Sequence, residues 1–582
     1  MIAGDDLSIL LLPLYYFGGV PGFAARGYWS LFRQIVAMEH LVSFQPPADY
    51  PNYLASPQPE RRPLSSARWL LLALVLLCLV PRAMMALRIP SVCPDGVLYI
   101  HRAQAVEAGD LRTAFQDSLN VYPVILAALH RVGIEWELAA ALWGVAISSL
   151  VVLPLWGWVR RQFDDRVALV ACLLYIVQPK MIEWSPEIMR DQTFWFLFTL
   201  AIYWMWRAVT EVRYGYFLAT GAAITLGSLA RVEGLFLLMP LVLWTFFRSM
   251  ALQTGRRKLL VGAVLCVLVF PLLLVLINLG WVCSRSGWAS IYLSPLARIR
   301  PWLEFVLGRD AGDGGDGPPL RLGRMIWVFF PTMTRGLAPV FALLMFGGMW
   351  RWRKVWSRRD HQVLFCTAVV IMCGIWIQLW FDRTICPRYA LPIVLMASPW
   401  AAMGMLDLTA RLARIAERFH RGKRGQYAVM AAVATIVVAI NFVDAMTSNT
   451  KYFEARRMAE NLGYWVQREF AAPPVLVGPM DITPIVSYYS HSSPYQTFRW
   501  EAGDDTILKI VTESNASVVL LPPGKVLKPQ RCRALVDRMK SLGLEPVVPG
   551  ALPPASFDLY VLVRNQKNPH LTSVQRCTTT DR

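Results

Sequence analysis

The chain has 582 residues, of which 55% are hydrophobic and only 17% charged, with a mean hydropathy of +0.41. Ordinary globular proteins carry about 45–50% apolar and about 25% charged residues, so a string of soluble domains is excluded and lipid must solvate much of the surface. The net charge of +19 falls mostly in short clusters between apolar runs, with no basic stripe interleaved with stacking aromatics, which points to membrane topology and away from a nucleic-acid partner.

Residues 1–65 read as an N-terminal cytoplasmic or interfacial segment. Its apolar run Leu7 to Gly19 is interrupted by Pro13 and Gly18 and lacks a small-residue cleavage site, which favours a re-entrant or interfacial stretch over a cleaved leader; a wrongly called start codon is the other reading. Long apolar segments then follow near 66–87, 137–159, 166–181, 191–208, 215–230, 233–248, 258–281, 325–350, 361–381, 389–409 and 427–445. They predict a polytopic α-helical membrane module of about eleven transmembrane helices over 66–445.

Loop charge orients these spans. The connections at 160–166, 207–215, 248–258, 350–360 and 411–424 hold 20 Lys and Arg in about 52 residues, whereas the alternate connections hold 15 in about 110. The positive-inside rule puts the first set in the cytoplasm, so the second set and the C-terminal region face outward. In the first outer connection, Pro94 to Ala108 and Tyr122 to Val132 have helical spacing but are too short to cross, and read as amphipathic helices on the membrane surface.

Beyond residue 446 the texture changes. Helical stretches (Tyr452 to Phe470, Gln530 to Leu542) alternate with strand-like ones (Val475 to Gly478, Ser517 to Leu521, Phe557 to Val563), predicting a small extracytoplasmic α/β domain over 446–582. Of ten cysteines, five fall within spans, and a Cys532–Cys577 disulfide is permitted by the compartment without being required. No CxxC or His-rich zinc spacing occurs.

Charges at membrane level are expensive and therefore candidates for function. The outward connections gather Asp95; Glu187, Arg190 and Asp191 at the start of the fourth span; Arg231 and Glu233 in a tight hairpin; and Asp382, Arg383 and Arg388 before the tenth span. Acidic and cationic groups at one depth suit an anionic, lipid-linked substrate, and equally suit mutual pairing at helix ends. Arg309 to Pro319 carries three Asp at a spacing of three among glycines; a flexible loop or lid is the plainer reading, calcium ligation the other. His101 and His130 are open to acid–base or merely capping roles.

Several of these stretches resemble a known family. Asp95-Gly96-Val97-Leu98-Tyr99 with Ala103, Gly109-Asp110 and Tyr122 to Leu129 is similar to the first outer loop of GT-C glycosyltransferases of the protein O-mannosyltransferase and aminoarabinose transferase type. Arg160 to Phe163 through Ser185 to Asp191, Leu229 to Gly234 and Pro387 to Pro392 resemble further family segments, so the resemblance covers about 90–410. It implies transfer of a sugar, with inversion, from a polyprenyl-phosphate donor to a lipid, polysaccharide or protein acceptor outside the cytoplasm. The resemblance matches Asp95 to the catalytic carboxylate and Arg388 to the carrier-phosphate ligand, with Arg231 and Arg190 as further phosphate candidates and Asp191 or Glu187 as orienting acids. No cofactor is implied, and no clear motif calls for a divalent metal. Gly96 stands where eukaryotic members commonly have a second acidic residue, and their lumenal repeat domain has no counterpart, so the match is closer to the bacterial branch and implies a bacterial inner (cell) membrane location. A transporter or flippase of a lipid-linked saccharide is the alternative, and would call for broken helices or repeated halves; a membrane scaffold is a third reading.

Overall fold

The computed structural model describes residues 64–564, apart from 90, 116–119, 253–254, 283–321, 352–358, 383–384, 420–422, 449, 500–501, 522–528 and 548–559. The expected N-terminal segment up to residue 63, the Asp-Gly loop at 309–319, Arg383 and the Cys532–Cys577 pairing lie outside the described residues.

In lipid every backbone donor and acceptor has to be satisfied within its own segment, so the apolar runs coil into helices. They are α1 (Leu64–Ala86), α2 (Pro94–Glu107), α3 (Leu111–Ala114), α4 (Val121–His130), α5 (Trp136–Leu150), α6 (Val152–Gln162), α7 (Asp165–Ile176), α8 (Pro179–Trp184), α9 (Asp191–Glu211), α10 (Tyr214–Ala230), α11 (Leu238–Ala251), α12 (Arg256–Val282), α13 (Leu322–Leu337), α14 (Pro339–Arg351), α15 (Arg359–Asp382), α16 (Leu391–Phe419) and α17 (Lys423–Thr447). Each expected apolar segment is helical over most of its length. Among the described residues, however, five helical stretches are long and apolar enough to cross a membrane, or six if one bent pair counts as a span. Some of the others fall short for visible reasons. Helix α7 has 12 residues, about 18 Å, and α10 has 17. In α9 the rings of Trp195, Tyr203, Trp204 and Trp206 dilute the aliphatic content.

The segment 325–350, expected as one span, is two helices. Helices α13 and α14 meet at 92°, with Ala338 between them in the left-handed region at φ 63° and Pro339 opening the second. A left-handed residue ends a helix and proline cannot extend one, so the chain changes direction there. Helix α14 then lies against α16, where Gly348 faces Trp400 O and Gly404 faces Leu344 O so closely that neither site has room for a Cβ. Small residues at a helix crossing let backbones approach, the usual basis of packing where lipid removes the hydrophobic drive.

After α17 come α18 (Thr450–Glu469), β1 (Leu476–Pro479), α19 (Thr483–Ser490), β2 (Tyr495–Phe498), α20 (Asp504–Glu513), β3 (Val518–Leu521), α21 (Pro529–Lys540), β4 (Leu544–Val547) and β5 (Tyr560–Arg564). The strands form one sheet ordered β2-β1-β3-β5-β4, parallel among β2, β1 and β3 and antiparallel at β5. Strands β2 and β4 and helix α19 have no counterpart in the sequence reading. Alternation along β3 divides the sheet into two faces. Val519 and Leu521 pack with Ile507, Val511, Leu535 and Met539 of α20 and α21. Val518 and Leu520 turn the other way, into a cluster with Leu462 and Val466 of α18 and Ile485 and Val486 of α19.

That second cluster also takes in Val97, Ile100 and Ala103 of α2, Tyr122 and Leu126 of α4, and Ile188. The two short helices expected on the membrane surface thus bury their main apolar faces against α18, α19 and the sheet, leaving Leu98 and Val124 exposed. Their amphipathic spacing is satisfied by protein rather than by lipid.

Candidate functional site

Asp95 occupies the first turn of α2, behind Pro94 at a position where proline's missing N–H costs nothing. Cys93 caps the helix: its Sγ accepts from Gly96 N at 3.3 Å and its thiol reaches Ile188 O at 3.8 Å. Burial, reinforced by the nearby Glu187 charge, pushes the Cys93 thiol up, so it stays neutral and can serve both contacts. Gly96 is required by close approach. A Cβ there would come within 2.8 Å of Ile188 Cβ and 3.1 Å of Val92 Cγ1. The structure therefore explains why no second acidic side chain follows Asp95.

Arg388 sits in the short 3-10 turn Pro387–Ala390 that leads into α16. Its Nη2 lies 2.9 Å from Asp95 Oδ2, and its Nη1 points at Met189 Sδ, 2.9 Å away. Its guanidinium lies 5.6 Å from the Tyr389 ring centroid and 5.8 Å from that of Trp184. Arg388 Nε, buried, donates to no described protein group. Half of the Asp95 side chain remains exposed.

Next to this pair is a second. Asp191, buried at the start of α9, is ion-paired with Arg231 Nη1, and Arg231 Nη2 reaches Glu233 Oε1 at 2.5 Å. Arg231 also lies 4.9 Å from the centroid of the Tyr389 ring, so both arginines face one aromatic. One buried cation between two carboxylates leaves a net negative charge, which the nearby Arg388 and Arg190 offset at Asp191. The two ion pairs are joined through the Tyr389 ring, which both arginines face.

Glu187 is elsewhere. It is fully buried and bonded to Arg456 Nη1 of α18 at 2.6 Å. Arg190 caps α9 through its backbone, with Phe194 N bonded to its carbonyl at 3.1 Å, and its side chain is half-buried. His130 stacks on Trp136 with centroids 3.8 Å apart and bonds Ile134 O through Nδ1, while His101 is exposed on α2.

Asp95 and Arg388 open onto a cavity of about 1060 Å³. Phe330, Pro331, Thr334 and Arg335 of α13 and Pro339 of α14 line part of it, apolar apart from Thr334 and Arg335, so the broken helix pair lines the site. Lys180, Glu183, Asp444, Tyr452 and Asp481 are among its other lining residues. Lys180 Nζ bonds Glu183 Oε2 at 2.5 Å, and Ser448 Oγ bonds the same oxygen at 2.9 Å. Burial nevertheless holds the Glu183 carboxyl above the usual carboxylate range. The sequence reading passed over these residues. Lys180 and Glu183, three apart in an outward connection, carried a readable signal; Arg456, in a charged amphipathic helix, carried none. Among the described residues no group of three or more His, Cys, Asp or Glu is placed to hold a metal ion.

A family model described as dolichyl-phosphate-mannose-protein mannosyltransferase matches residues 120–281. Searching curated proteins by sequence gives no match. Among solved structures, ArnT from Cupriavidus metallidurans in the apo state is similar over 86% of this chain and 98% of its own, at 14% identity and a TM-score of 0.54. The same protein bound to undecaprenyl phosphate gives 13% and 0.52 over the same shares. An oligosaccharyltransferase from Archaeoglobus fulgidus is similar over 84% of this chain and 72% of its own, at 14% and 0.52.

Proposed function

We propose, starting from the finding that this multi-pass membrane chain has the GT-C glycosyltransferase fold, that it transfers a sugar from a polyprenyl-phosphate donor to an acceptor hydroxyl on the outer face of the membrane, with inversion. The observation that carries this reading is the 2.9 Å contact between Asp95 and Arg388 at the wall of a cavity with one mostly apolar side. A base for the acceptor and a cation for the donor phosphate lie within one side chain's reach of each other, and the mostly apolar wall suits the first isoprene units of a carrier.

The chemistry follows from these groups. The acceptor oxygen attacks the anomeric carbon on the face opposite the phosphate, and Asp95 takes the hydroxyl proton; a placed base contributes about 10²–10⁴-fold. The bond from the anomeric carbon to the phosphate oxygen breaks and the electron pair leaves on polyprenyl phosphate. Arg388 meets that growing negative charge with a planar fork suited to phosphate oxygens, its uncommitted Nε included. Because phosphate is already a competent leaving group, no strong general acid is required. Asp191 and Glu233 pair with Arg231, which lies against the ring of Tyr389 that Arg388 also approaches.

The similarity to ArnT bound to undecaprenyl phosphate supports a lipid-phosphate carrier, and the acceptor is a lipid, a polysaccharide or a protein. The loop charges support a periplasmic or extracellular site in a bacterial inner membrane. Transport of a lipid-linked saccharide draws its support from the broken α13–α14 pair. One experiment separates the two: cells whose only copy is Asp95→Asn should accumulate a polyprenyl-phosphate sugar on the outer leaflet. Accumulation on the inner leaflet favours transport, and unimpaired transfer overturns the mechanism.

A further inference from the structure

The three residues just ahead of the Asp95 helix are tied down by side chains from far downstream. Arg456 of α18, 2% exposed, donates through Nη2 to Ser91 O and through Nη1 to Glu187 Oε1 at 2.6 Å. Tyr489 of α19 accepts from Val92 N at 3.2 Å, and its hydroxyl lies 3.2 Å from Glu137 Oε1 at the start of α5, to which it donates. Cys93 is held by Ile188 O.

We infer that Arg456 and Tyr489 are positioning residues for Asp95, so that the region after the last span is a working part of the transfer site. This rests on the reading of Asp95 as the base. A simple seal between the membrane helices and the C-terminal region needs only apolar contact, and the neighbouring cluster of Val97, Ile100, Leu462, Val466, Ile485 and Val486 already supplies it. Two buried polar side chains are instead spent on the backbone of Ser91 and Val92, within four residues of the catalytic carboxylate. Backbone fixed there sets the start of α2, and with it the direction of Asp95. Catalytic groups tolerate little displacement, since about 1 Å costs on the order of 10²-fold in rate. Arg388 is carried by a different turn, the one ahead of α16; its Met189 contact borders Glu187, which Arg456 holds, so Tyr489→Phe is the variant that leaves the Arg388 side untouched. Loosening the Ser91–Val92 anchors should therefore move the base relative to the phosphate cation without removing the cation.

The test uses the full chain in nanodiscs with two readouts: affinity for undecaprenyl phosphate, and maximal rate and KM with the polyprenyl-phosphate-sugar fraction extracted from cells lacking the chain. Tyr489→Phe and Arg456→Met should lower the maximal rate about 10–100-fold, with undecaprenyl phosphate affinity within about twofold of wild type, and Arg456→Lys should recover part of the loss. Should Arg456→Met fail to fold, Tyr489→Phe, which keeps its ring, decides alone. Wild-type rates in these variants, or carrier affinity falling in step with rate, overturn the inference. Asp95→Asn measured alongside separates the two claims. If it is inactive while Tyr489→Phe and Arg456→Met are fully active, the positioning role fails and the base stands; if Asp95→Asn is itself fully active, the base reading fails first.

Discussion

Arg388 Nη2 stands 2.9 Å from Asp95 Oδ2, joining the start of α2 to the turn that opens α16. Neither residue is fully buried, so the pair is an adaptable contact at a cavity wall rather than a sealed strut. Its neighbour Asp191–Arg231 is the reverse, with both side chains under 10% exposed. The contrast fits the proposed division, chemistry at the first pair and support at the second, and gives different expectations for their variants.

Asp95→Asn should leave the fold intact. A half-exposed pair is worth about 0–1 kcal/mol, so the thermal midpoint should move by little, whereas transfer should fall by about 10²–10⁴-fold. Rate and thermal unfolding on the same preparation check both halves.

Arg388→Lys should not restore carrier binding. Lysine keeps the charge and loses the planar fork, the contact with Met189 and the stacking near Tyr389 and Trp184. Undecaprenyl phosphate affinity should drop by about tenfold or more, one charge-assisted hydrogen bond of about 1.5–3 kcal/mol, with acceptor KM little changed. The opposite split would remove Arg388 from the donor side.

Asp191→Asn removes one of two counter-charges from buried Arg231. Breaking a buried pair costs about 3–5 kcal/mol, so a clear loss of thermal stability should accompany any loss of rate. Unchanged stability with abolished transfer would show that Asp191 acts directly on substrate.

Gly96→Ala places a methyl 2.8 Å from Ile188 Cβ. The start of α2 then has to shift, at about 1–3 kcal/mol, and transfer should fall with carrier affinity maintained. A variant as active as wild type would mean that the Asp95 helix has slack which the contacts do not suggest.

A reporter fused after Thr450 should be active only outside the cytoplasm, as the loop charges require. Cytoplasmic activity would reverse the membrane orientation and the side on which the sugar is transferred.

Composition and local spacing were enough for the helical membrane class and for the helical segments, and the charges at span ends together with the family resemblance singled out Asp95 and Arg388 as candidates. These properties are local: apolar runs have to coil in lipid, and a charge near a span end is costly wherever the span goes. The pairings were not local. Nothing near Glu187 in the sequence distinguishes Arg456 from the many other basic residues of the chain, and only the packing of α18 against α2 makes that choice. Likewise, hydropathy reads 325–350 as one run because it is blind to chain direction, and the turn at Ala338 appears only in three dimensions. Sequence thus set which groups are available and at which membrane end; tertiary structure decided which carboxylate meets which cation, because those contacts form between helices that share no sequence neighbourhood.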